Sequence, residues 1–425
     1  CLTLFSGDPL ILTPYLKRGE IEVAQNLSRV PLTDVMGFPS YAGFFTVNKT
    51  YDSNLYFWYF PQFCAGTEAP VVLWLQGGPG GASLYGLLTE IGPLIPKKTG
   101  FARRKYHWAL NHHLIFIDNP VGTGFSFTKN DNGYCEDETC VAKGLYSALQ
   151  QFFTLFPHLR GNDFYITGES YAGKYIPALG IEILNMNSAG GEDPINLMGM
   201  AIGNGYCDPV NQLDYGNYLY QHGLIDNNQL DVFLTMQKKI AVAIGKSDWP
   251  TANALMDKLI DGELTNFSYF RTYTGFNYYY NFLYSDDHAD MSIFTHLLQN
   301  DEIRHNIHVG GLPFNDGETV QIHLLNDILK SVAPYITRLL SHYPILFYNG
   351  QLDIIVAYPL TENFLQNLPF DSANQYKTAN RRIWYVNKEV AGYVKKAGNL
   401  TEILVRNAGH MVPHDQAYQS SHNIL

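Results

Sequence analysis

Ser170 lies between a predicted strand and a predicted helix. The strand is 164–167, and the small residues Gly168 and Ala172 stand two positions before and two positions after the serine. Small residues at these positions let a sharp turn close without collisions, and such a turn exposes the serine hydroxyl as a nucleophile. The first N–H groups of the helix would then point at negative charge that develops near Ser170. Because a pattern this short is common by chance, it needs support from other residues.

A carboxylate and a histidine follow two predicted strands further along the chain. Strand 345–348 leads to Asp353, and strand 402–406 leads to His410. The carboxyl ends of parallel strands meet at one edge of a sheet, and the order Ser, Asp, His is the order that α/β-hydrolases use. Taken singly, each would be a turn or surface residue. Together they predict that Ser170 attacks, His410 takes its proton and Asp353 orients the imidazole.

A glycine-rich segment, QGGPGGAS, follows predicted strand 71–75 and begins at Gln76. Glycines let backbone N–H groups approach a ligand closely, so this segment is a source for a second oxyanion donor. The alternative is a loop that binds phosphate, but the Gly-Lys-Ser/Thr ending of such loops is missing.

Short runs of β-branched and aromatic residues, separated by turns and helical patterns, predict the elements that bring these side chains together. The alternation predicts a mostly parallel sheet with helices on both faces. The runs are 71–75, 114–117, 164–167, 198–202, 345–348 and 402–406. Runs 41–47 and 55–60 predict an antiparallel hairpin that extends one edge of the sheet.

No further strand pattern of this kind occurs between residues 207 and 321. Helical patterns at 229–244 and 253–260 and an aromatic stretch at 269–284 take its place. Predicted strands alternate with helices again after residue 321. We therefore predict a cap, 207–321, inserted into a core made of residues 1–206 and 322–425. An independent second domain is the alternative.

The composition excludes several classes of protein. Of 425 residues 46% are hydrophobic, so the chain can bury a large core. With 28 basic and 39 acidic residues the formal net charge is −11, and no basic block is present, so nucleic acid is not an expected partner. No apolar run has the length of a membrane span, and no signal-peptide pattern opens the chain. The protein is therefore cytosolic, or a signal peptide has been removed.

Cysteines and glycosylation patterns favour the second possibility. Cys135 and Cys140 are close enough in sequence to close a small loop, which leaves Cys1, Cys64 and Cys207 over, and unpaired thiols throughout are the alternative. N-glycosylation patterns stand at Asn26, Asn48, Asn266 and Asn399. We expect a protein of the secretory pathway, secreted or lysosomal or endosomal.

Five ordered segments resemble the serine carboxypeptidase family, and in particular its vitellogenic carboxypeptidase-like members. They are WLQGGPGGAS, IDNPVGTGFS, TGESYAGKYIP, NGQLDIIV and NAGHMVPHDQ, and the resemblance runs from about Pro9 to the last residues. It implies an α/β-hydrolase fold with an inserted, largely helical cap. It also implies a serine-type carboxypeptidase that releases C-terminal residues through an acyl-enzyme on Ser170. We expect it to work best at acid pH and to need neither cofactor nor metal.

The resemblance implies roles for further residues. The backbone N–H groups of Gly78 and Tyr171 would form the oxyanion hole, and Met411 would line the pocket of the leaving residue. The residues expected at the terminal carboxylate of the substrate are Gln76, Gly77, Glu90 and Glu169. Without the resemblance, Glu90 would be an ordinary carboxylate on a helix face.

The sequence departs from the family pattern in the glycine-rich segment. Gln76 stands where most members have an asparagine that donates to the substrate carboxylate, and a longer amide can still reach it. Gly81 and Ala82 replace a common Cys-Ser pair, so the usual disulfide from this segment is absent. The usual cap cysteines are not found either.

Two other functions are compatible with the same residues. An acyltransferase or esterase would pass the acyl group to an alcohol in preference to water. A binding or scaffolding protein would keep the site without turnover, and organophosphorus labelling of Ser170 would exclude it. The expected partners are peptide and protein C-termini as substrates, with a homodimer left open.

Overall fold

The structure, a computed structural model, describes residues 7–64, 68–190, 193–287 and 291–423. In these ranges the strands are β1 (Tyr41–Asn48), β2 (Ser53–Phe60), β3 (Val71–Leu75), β4 (Leu94–Lys97), β5 (Gly100–Arg103), β6 (His113–Ile117), β7 (Phe164–Glu169), β8 (Leu197–Gly203), β9 (Ile345–Gly350), β10 (Arg382–Val386), β11 (Glu389–Ala397) and β12 (Leu400–Val405).

The helices surround these strands, and none in the described ranges is both long and apolar enough to cross a membrane. They are α1 (Thr13–Lys17), α2 (Ile21–Ser28), α3 (Pro31–Val35), α4 (Ser83–Tyr85), α5 (Glu138–Leu155), α6 (Ala172–Ser188), α7 (Tyr215–Gln221), α8 (Asn227–Gly245), α9 (Trp249–Leu259), α10 (Tyr269–Thr274), α11 (Met291–Leu298), α12 (Asp301–Asn306), α13 (Glu318–Leu324), α14 (Ala333–Leu340), α15 (Tyr358–Asn367), α16 (Ala373–Thr378), α17 (Val412–Asp415) and α18 (Ala417–Asn423).

Ten strands form one sheet in the order β1-β2-β6-β3-β7-β8-β9-β12-β11-β10. The run from β6 to β12 is parallel throughout, and antiparallel strands extend both edges. The prediction of a mostly parallel sheet with helices on both faces is confirmed, as is the hairpin of β1 and β2.

Strand β3, in the middle of the sheet, is apolar at every position because both faces of the sheet are covered there. In β3, Val71, Leu73 and Leu75 belong to the core that α5, α6 and α14 pack against. Val72 and Trp74 point to the opposite face and join a separate core. Successive side chains of a strand alternate between faces, so continuous apolarity is what such a strand requires.

The hairpin of β10 and β11 at the far edge was missed by the sequence analysis. Its two-residue turn is Asn387-Lys388, and both residues have a positive φ, of 50° and 69°. Asparagine is common in turns of this kind, so the local signal was present. The strands are half exposed and rich in charged residues, so their pattern is weaker than that of the buried strands. The separate small hairpin of β4 and β5 was also missed.

In the described residues no strand of the large sheet lies between Gly203 and Ile345, and helices α7 to α13 occupy this part of the chain. Helices α7 to α10 contribute to a third apolar core, which includes Phe233 and Ile240. Phe294 and Ile303 instead belong to the core that contains Val72 and Trp74. The division into a core and a cap at residues 207 and 321 stays a prediction.

The carboxyl ends of the parallel strands meet at one edge of the sheet. Gln76 follows β3, Ser170 follows β7, Asn204 follows β8, Asp353 lies after β9 and His410 after β12. These strands are neighbours in the sheet, so their loops meet there.

Candidate active site

Ser170 occupies the turn between β7 and α6 with a φ of 62°, a left-handed conformation that residues with a side chain seldom adopt. The turn is tight, since a Cβ atom on Gly168 would lie 2.1 Å from the carbonyl oxygen of Leu75. The Ser170 N–H donates to Gly203 O at 2.9 Å, and its carbonyl accepts from Tyr206 N at 2.9 Å. Hydrogen bonds at both its N–H and its carbonyl oxygen therefore hold the strained serine in place.

His410 and Asp353 form a buried hydrogen-bonded pair, with 2.8 Å between His410 Nδ1 and Asp353 Oδ2. The carboxylate also accepts from the backbone N–H groups of Ile355 (3.1 Å) and Val356 (3.2 Å). Because the carboxylate accepts from every one of these partners, the imidazole carries its hydrogen on Nδ1. The other nitrogen, Nε2, is buried and has no hydrogen-bond partner among the described residues, so it is free to accept a proton.

Asn204 and Tyr280 support this pair and were missed by the sequence analysis. Asn204 has a φ of 42°, and its Nδ2 donates to Asp353 Oδ2 at 2.7 Å. The Tyr280 ring lies 4.9 Å from the imidazole ring, and its carbonyl accepts from His410 N at 2.7 Å. The only local signal for Asn204 was the Gly-Asn-Gly sequence at the end of β8, whereas nothing local marks Tyr280.

The glycine-rich segment lies directly against the nucleophile. A Cβ atom on Gly77 would lie 2.5 Å from Tyr171 N and 2.6 Å from Ser170 Cβ, so only glycine fits. Gly81 N donates to Gly77 O at 2.9 Å and closes the turn, in which Gly78 has a φ of 115°. Within the described chain the N–H groups of Gly78 and Tyr171 donate no hydrogen bond, which leaves them available to a ligand.

Gln76 is held at both ends of its amide group. Its Oε1 accepts from Trp74 Nε1 at 2.9 Å, and its Nε2 donates to Glu169 Oε1 at 2.7 Å. These contacts fix which end of the amide faces Glu169. One of the two Nε2 hydrogens remains for another acceptor.

Glu90 and Glu169 are both buried, and Glu90 stands at the end of the π-helical turn Gly86–Glu90. Burial raises the pKa of Glu90 to about 7, although the neighbouring side chains of Glu169 and Gln76 and, to a smaller extent, the positive charge of Arg104 oppose this shift. Burial, and then the negative charge of Glu90, raise the pKa of Glu169 well above its usual range. Both Glu90 oxygens and Glu169 Oε2 have no hydrogen-bond partner among the described residues. The pair therefore retains a proton into the neutral range and has unsatisfied oxygens.

The remaining predicted residues lie outside this cluster. Met411 is half-buried beside His410, and its role in a leaving-residue pocket stays a prediction. The four asparagines of the glycosylation patterns are exposed: Asn26, Asn48, Asn266 and Asn399. Cys135 and Cys140 are joined in a disulfide, Cys64 and Cys207 are free thiols, and Cys1 lies outside the described residues.

The chain is similar to known proteins over almost its whole length. A sequence model of the serine carboxypeptidase family, peptidase S10, matches residues 31–424. The chain is 50% identical to the vitellogenic carboxypeptidase of Aedes aegypti, covering 97% of this chain and 88% of the relative. It is 49% identical to the venom serine carboxypeptidase of Apis mellifera (97% and 89% covered) and 46% identical to the probable serine carboxypeptidase CPVL of Homo sapiens (97% and 87%).

A solved structure shows the same fold. It is a prohormone-processing carboxypeptidase from Saccharomyces cerevisiae, which superimposes with a TM-score of 0.77 over 94% of this chain and 95% of that one. At 24% sequence identity the likeness concerns the fold alone.

We predict that Gly77→Ala slows phosphonylation of Ser170 by an organophosphorus reagent about a hundredfold or more, the range expected for loss of one oxyanion donor. The added methyl group must displace Tyr171 N or Ser170 Cβ, so the turn cannot keep its geometry. The measurement is the labelling rate by mass spectrometry. Gly144→Ala is the control, since a Cβ atom there meets only Leu55 Cδ1 at 4.0 Å. Equal labelling rates in both variants would contradict the prediction.

Proposed function

The chain belongs to the serine carboxypeptidase family, and we propose that Ser170, His410 and Asp353 are its catalytic triad. It is an enzyme, a serine-type carboxypeptidase that acts on peptides. The observation that carries the proposed triad is the buried His410–Asp353 pair, whose free Nε2 lies at the sheet edge that also carries the strained Ser170. No observation favours an acyltransferase or a scaffolding protein.

In the first half of the reaction, Ser170 Oγ forms a bond to the carbonyl carbon of the last peptide bond. Its proton passes to His410 Nε2, and the carbonyl oxygen becomes negatively charged. The N–H groups of Gly78 and Tyr171 donate to this oxyanion. The amine of the departing C-terminal residue then takes the proton from His410, and the C–N bond breaks.

In the second half, water attacks the acyl-enzyme and gives its proton to His410 Nε2. The new tetrahedral intermediate collapses, the peptide acid leaves and the proton returns to Ser170 Oγ. Asp353 stays an acceptor throughout and stabilises the imidazolium form of His410 in both halves. Asn204 keeps this carboxylate in place by its hydrogen bond of 2.7 Å.

We propose that Gln76, Gly77, Glu90 and Glu169 bind the terminal carboxylate of the substrate. The free Nε2 hydrogen of Gln76 and the proton held between Glu90 and Glu169 supply donors for it. The unsatisfied carboxyl oxygens and the raised pKa values of the two glutamates support this proposal. The terminal carboxylate of the substrate adds a third negative charge beside Glu90 and Glu169. It can bind only while the glutamate pair keeps a proton.

We also propose that the protein works in the secretory pathway, secreted or in lysosomes or endosomes, as a glycoprotein. The Cys135–Cys140 disulfide supports this location, because disulfides persist in oxidising compartments. The four asparagines of the glycosylation patterns are exposed, and one relative is named as a venom protein; both observations agree with this location.

Ser170→Ala should abolish peptide turnover while the protein keeps its fold and its affinity for substrate, because the hydroxyl supplies chemistry and little packing. His410→Ala should be about as severe. The double variant should be scarcely slower than either single one, since triad members act as a unit. Steady-state kinetics with a thermal-unfolding control measure this. Multiplicative losses in the double variant would show that the two residues act independently.

Gln76→Ala should lower kcat/KM for a free-acid peptide by about ten- to a hundredfold, the usual value of a hydrogen bond to a charged group. An ester substrate without the terminal carboxylate should be spared. Gln76→Asn serves as the matched control, and we expect it to retain selection for the free acid. Equal losses on acid and ester substrates after Gln76→Ala would make Gln76 a support for the glycine-rich segment instead.

The kcat/KM of a free-acid peptide should fall as pH rises through the upper apparent pKa of the Glu90–Glu169 pair. Burial raises the pKa values of both glutamates. The protonated pair, which can bind the substrate carboxylate, therefore exists at pH values below this upper pKa.

A C-terminally amidated peptide carries no terminal charge, so its optimum should lie at higher pH. The double variant Glu90→Gln with Glu169→Gln removes the titration while it retains hydrogen-bond donors, and the two pH profiles should then come together. The measurement is kcat/KM against pH for matched peptides. If the native enzyme gives the same pH profile for the free-acid and the amidated peptide, this mode of carboxylate recognition is wrong.

A further inference from the structure

Lys174 is a fully buried cation in the first turn of α6, four residues after the nucleophile, and no step above uses it. The side chain is 0% exposed, and a buried ammonium group is costly unless it is paired. Its position is also unfavourable for the helix dipole, which disfavours cations at a helix N-terminus. A lysine at this position therefore destabilises the fold unless its contacts offset that cost.

The ammonium group ties α6 to the chain segment that follows α13. Nζ forms an ion pair of 3.0 Å with Asp327 Oδ2 and also donates to the carbonyl oxygens of Asp327 and Ile328. Asp327 is itself buried, and its second oxygen contacts Lys330 at 3.2 Å. Three hydrogen bonds from one ammonium group hold this segment against the start of the nucleophile helix.

Glu138, the first residue of α5, completes the cluster from another direction. It is buried, and it interacts electrostatically with Lys174, Asp327 and the phenol of Tyr171. Burial raises the pKa of Glu138 to about 8, although Lys174 opposes this shift. The Cys135–Cys140 disulfide closes a loop across the start of α5 and so fixes the place of this carboxyl group.

Tyr171 is enclosed by this cluster. Its buried ring lies 5.2 Å from Lys174 Nζ and 5.1 Å from the ring of Tyr175, with Glu138 near its hydroxyl. The backbone N–H of the same residue is the proposed oxyanion donor. A side chain that is packed on several sides restricts rotation of the backbone to which it is attached.

We propose that Lys174, held by Asp327 and the carbonyl oxygen of Ile328, is a positioning residue that fixes Tyr171 so that its backbone N–H faces the oxyanion. The inference rests on the proposed function, which makes that N–H a donor in the reaction. A strained conformation such as that of Ser170 persists only where its surroundings over-determine it. Lys174 supplies such support on the helix side of the turn. An apolar side chain of equal length would fill the same space but would bind neither the Asp327 nor the Ile328 carbonyl oxygen.

Lys174→Met tests the proposal with little change in volume. We expect kcat to fall about tenfold or more on both peptide and ester substrates, while KM stays within about twofold, because the loss is confined to the transition state. Affinity for a peptide boronic acid, whose tetrahedral adduct occupies the oxyanion hole, should fall in proportion to kcat. Loss of general packing alone would not separate kcat from KM in this way.

Lys330→Met is the matched control. It removes a lysine side chain from the same carboxylate, Asp327, but this side chain is half exposed and donates to neither carbonyl of the anchored segment, and the backbone hydrogen bond from Lys330 N to Asp327 O is kept. We expect kcat and boronate affinity to stay within about twofold of the native values. An equal loss of kcat in both lysine variants would overturn the proposal, since the effect would then belong to the charge of Asp327.

The double variant Lys174→Met with Asp327→Asn covers the case in which the single variant fails to fold. Removing both charges of a buried pair leaves no unpaired charge, which is the usual cause of severe destabilisation. If the double variant keeps the native Tm and also the native kcat and boronate affinity, the proposal is wrong. Native Tm with the reduced kcat supports it.

Failure of this inference and failure of the proposed function give different results. If the native enzyme is labelled at Ser170 and Ser170→Ala is inactive, but the Lys174 variants are fully active, only the positioning role is overturned. If Ser170→Ala retains turnover, the triad is wrong, and the positioning role falls with it.

Discussion

The left-handed backbone of Ser170 is the constraint on which the rest of the site depends. A φ of 62° in a residue with a side chain costs about 1–3 kcal/mol, and the surrounding fold must compensate for it. Backbone hydrogen bonds to Gly203 and Tyr206 do so on one side of the turn. On the other side, Gly77 leaves room for the turn because it has no side chain. The serine is thereby presented at the end of β7 without freedom to rotate away.

The carboxyl groups of the site differ in their surroundings, and the functions proposed for them differ accordingly. Asp353 accepts hydrogen bonds from His410, Asn204 and two backbone N–H groups, which stabilise a carboxylate. Glu90 and Glu169 face each other with few donors, so burial and mutual repulsion favour a retained proton. One kind of side chain thus orients a histidine in the first case, and in the second it holds the proton that the proposed recognition of the substrate carboxylate requires.

Several contacts join parts of the chain that lie far apart in sequence. Asn204 meets Asp353 across 149 residues, and Lys174 meets Asp327 across 153. Both contacts join residues on either side of the segment predicted as a cap. The course of the chain after that segment therefore determines whether the proposed triad and helix α6 are supported. The alignment of neighbouring parallel strands makes this course possible, because it brings their loops to one edge.

The sequence by itself determined the strands of the parallel sheet, the turn at Ser170 and the order of the proposed triad residues. Alternation, apolar runs and turn glycines are local properties, and they specify elements before any two elements meet. The hairpin of β10 and β11 was also within reach, since Asn387-Lys388 marks its turn. Only the tertiary structure decided that Trp74 orients Gln76 towards Glu169, that Asn204 supports Asp353, and that Glu138 and Lys174 enclose Tyr171. A side chain that finds its partner on another element leaves no periodic trace in its own segment, because the faces that meet are set by packing of the whole chain.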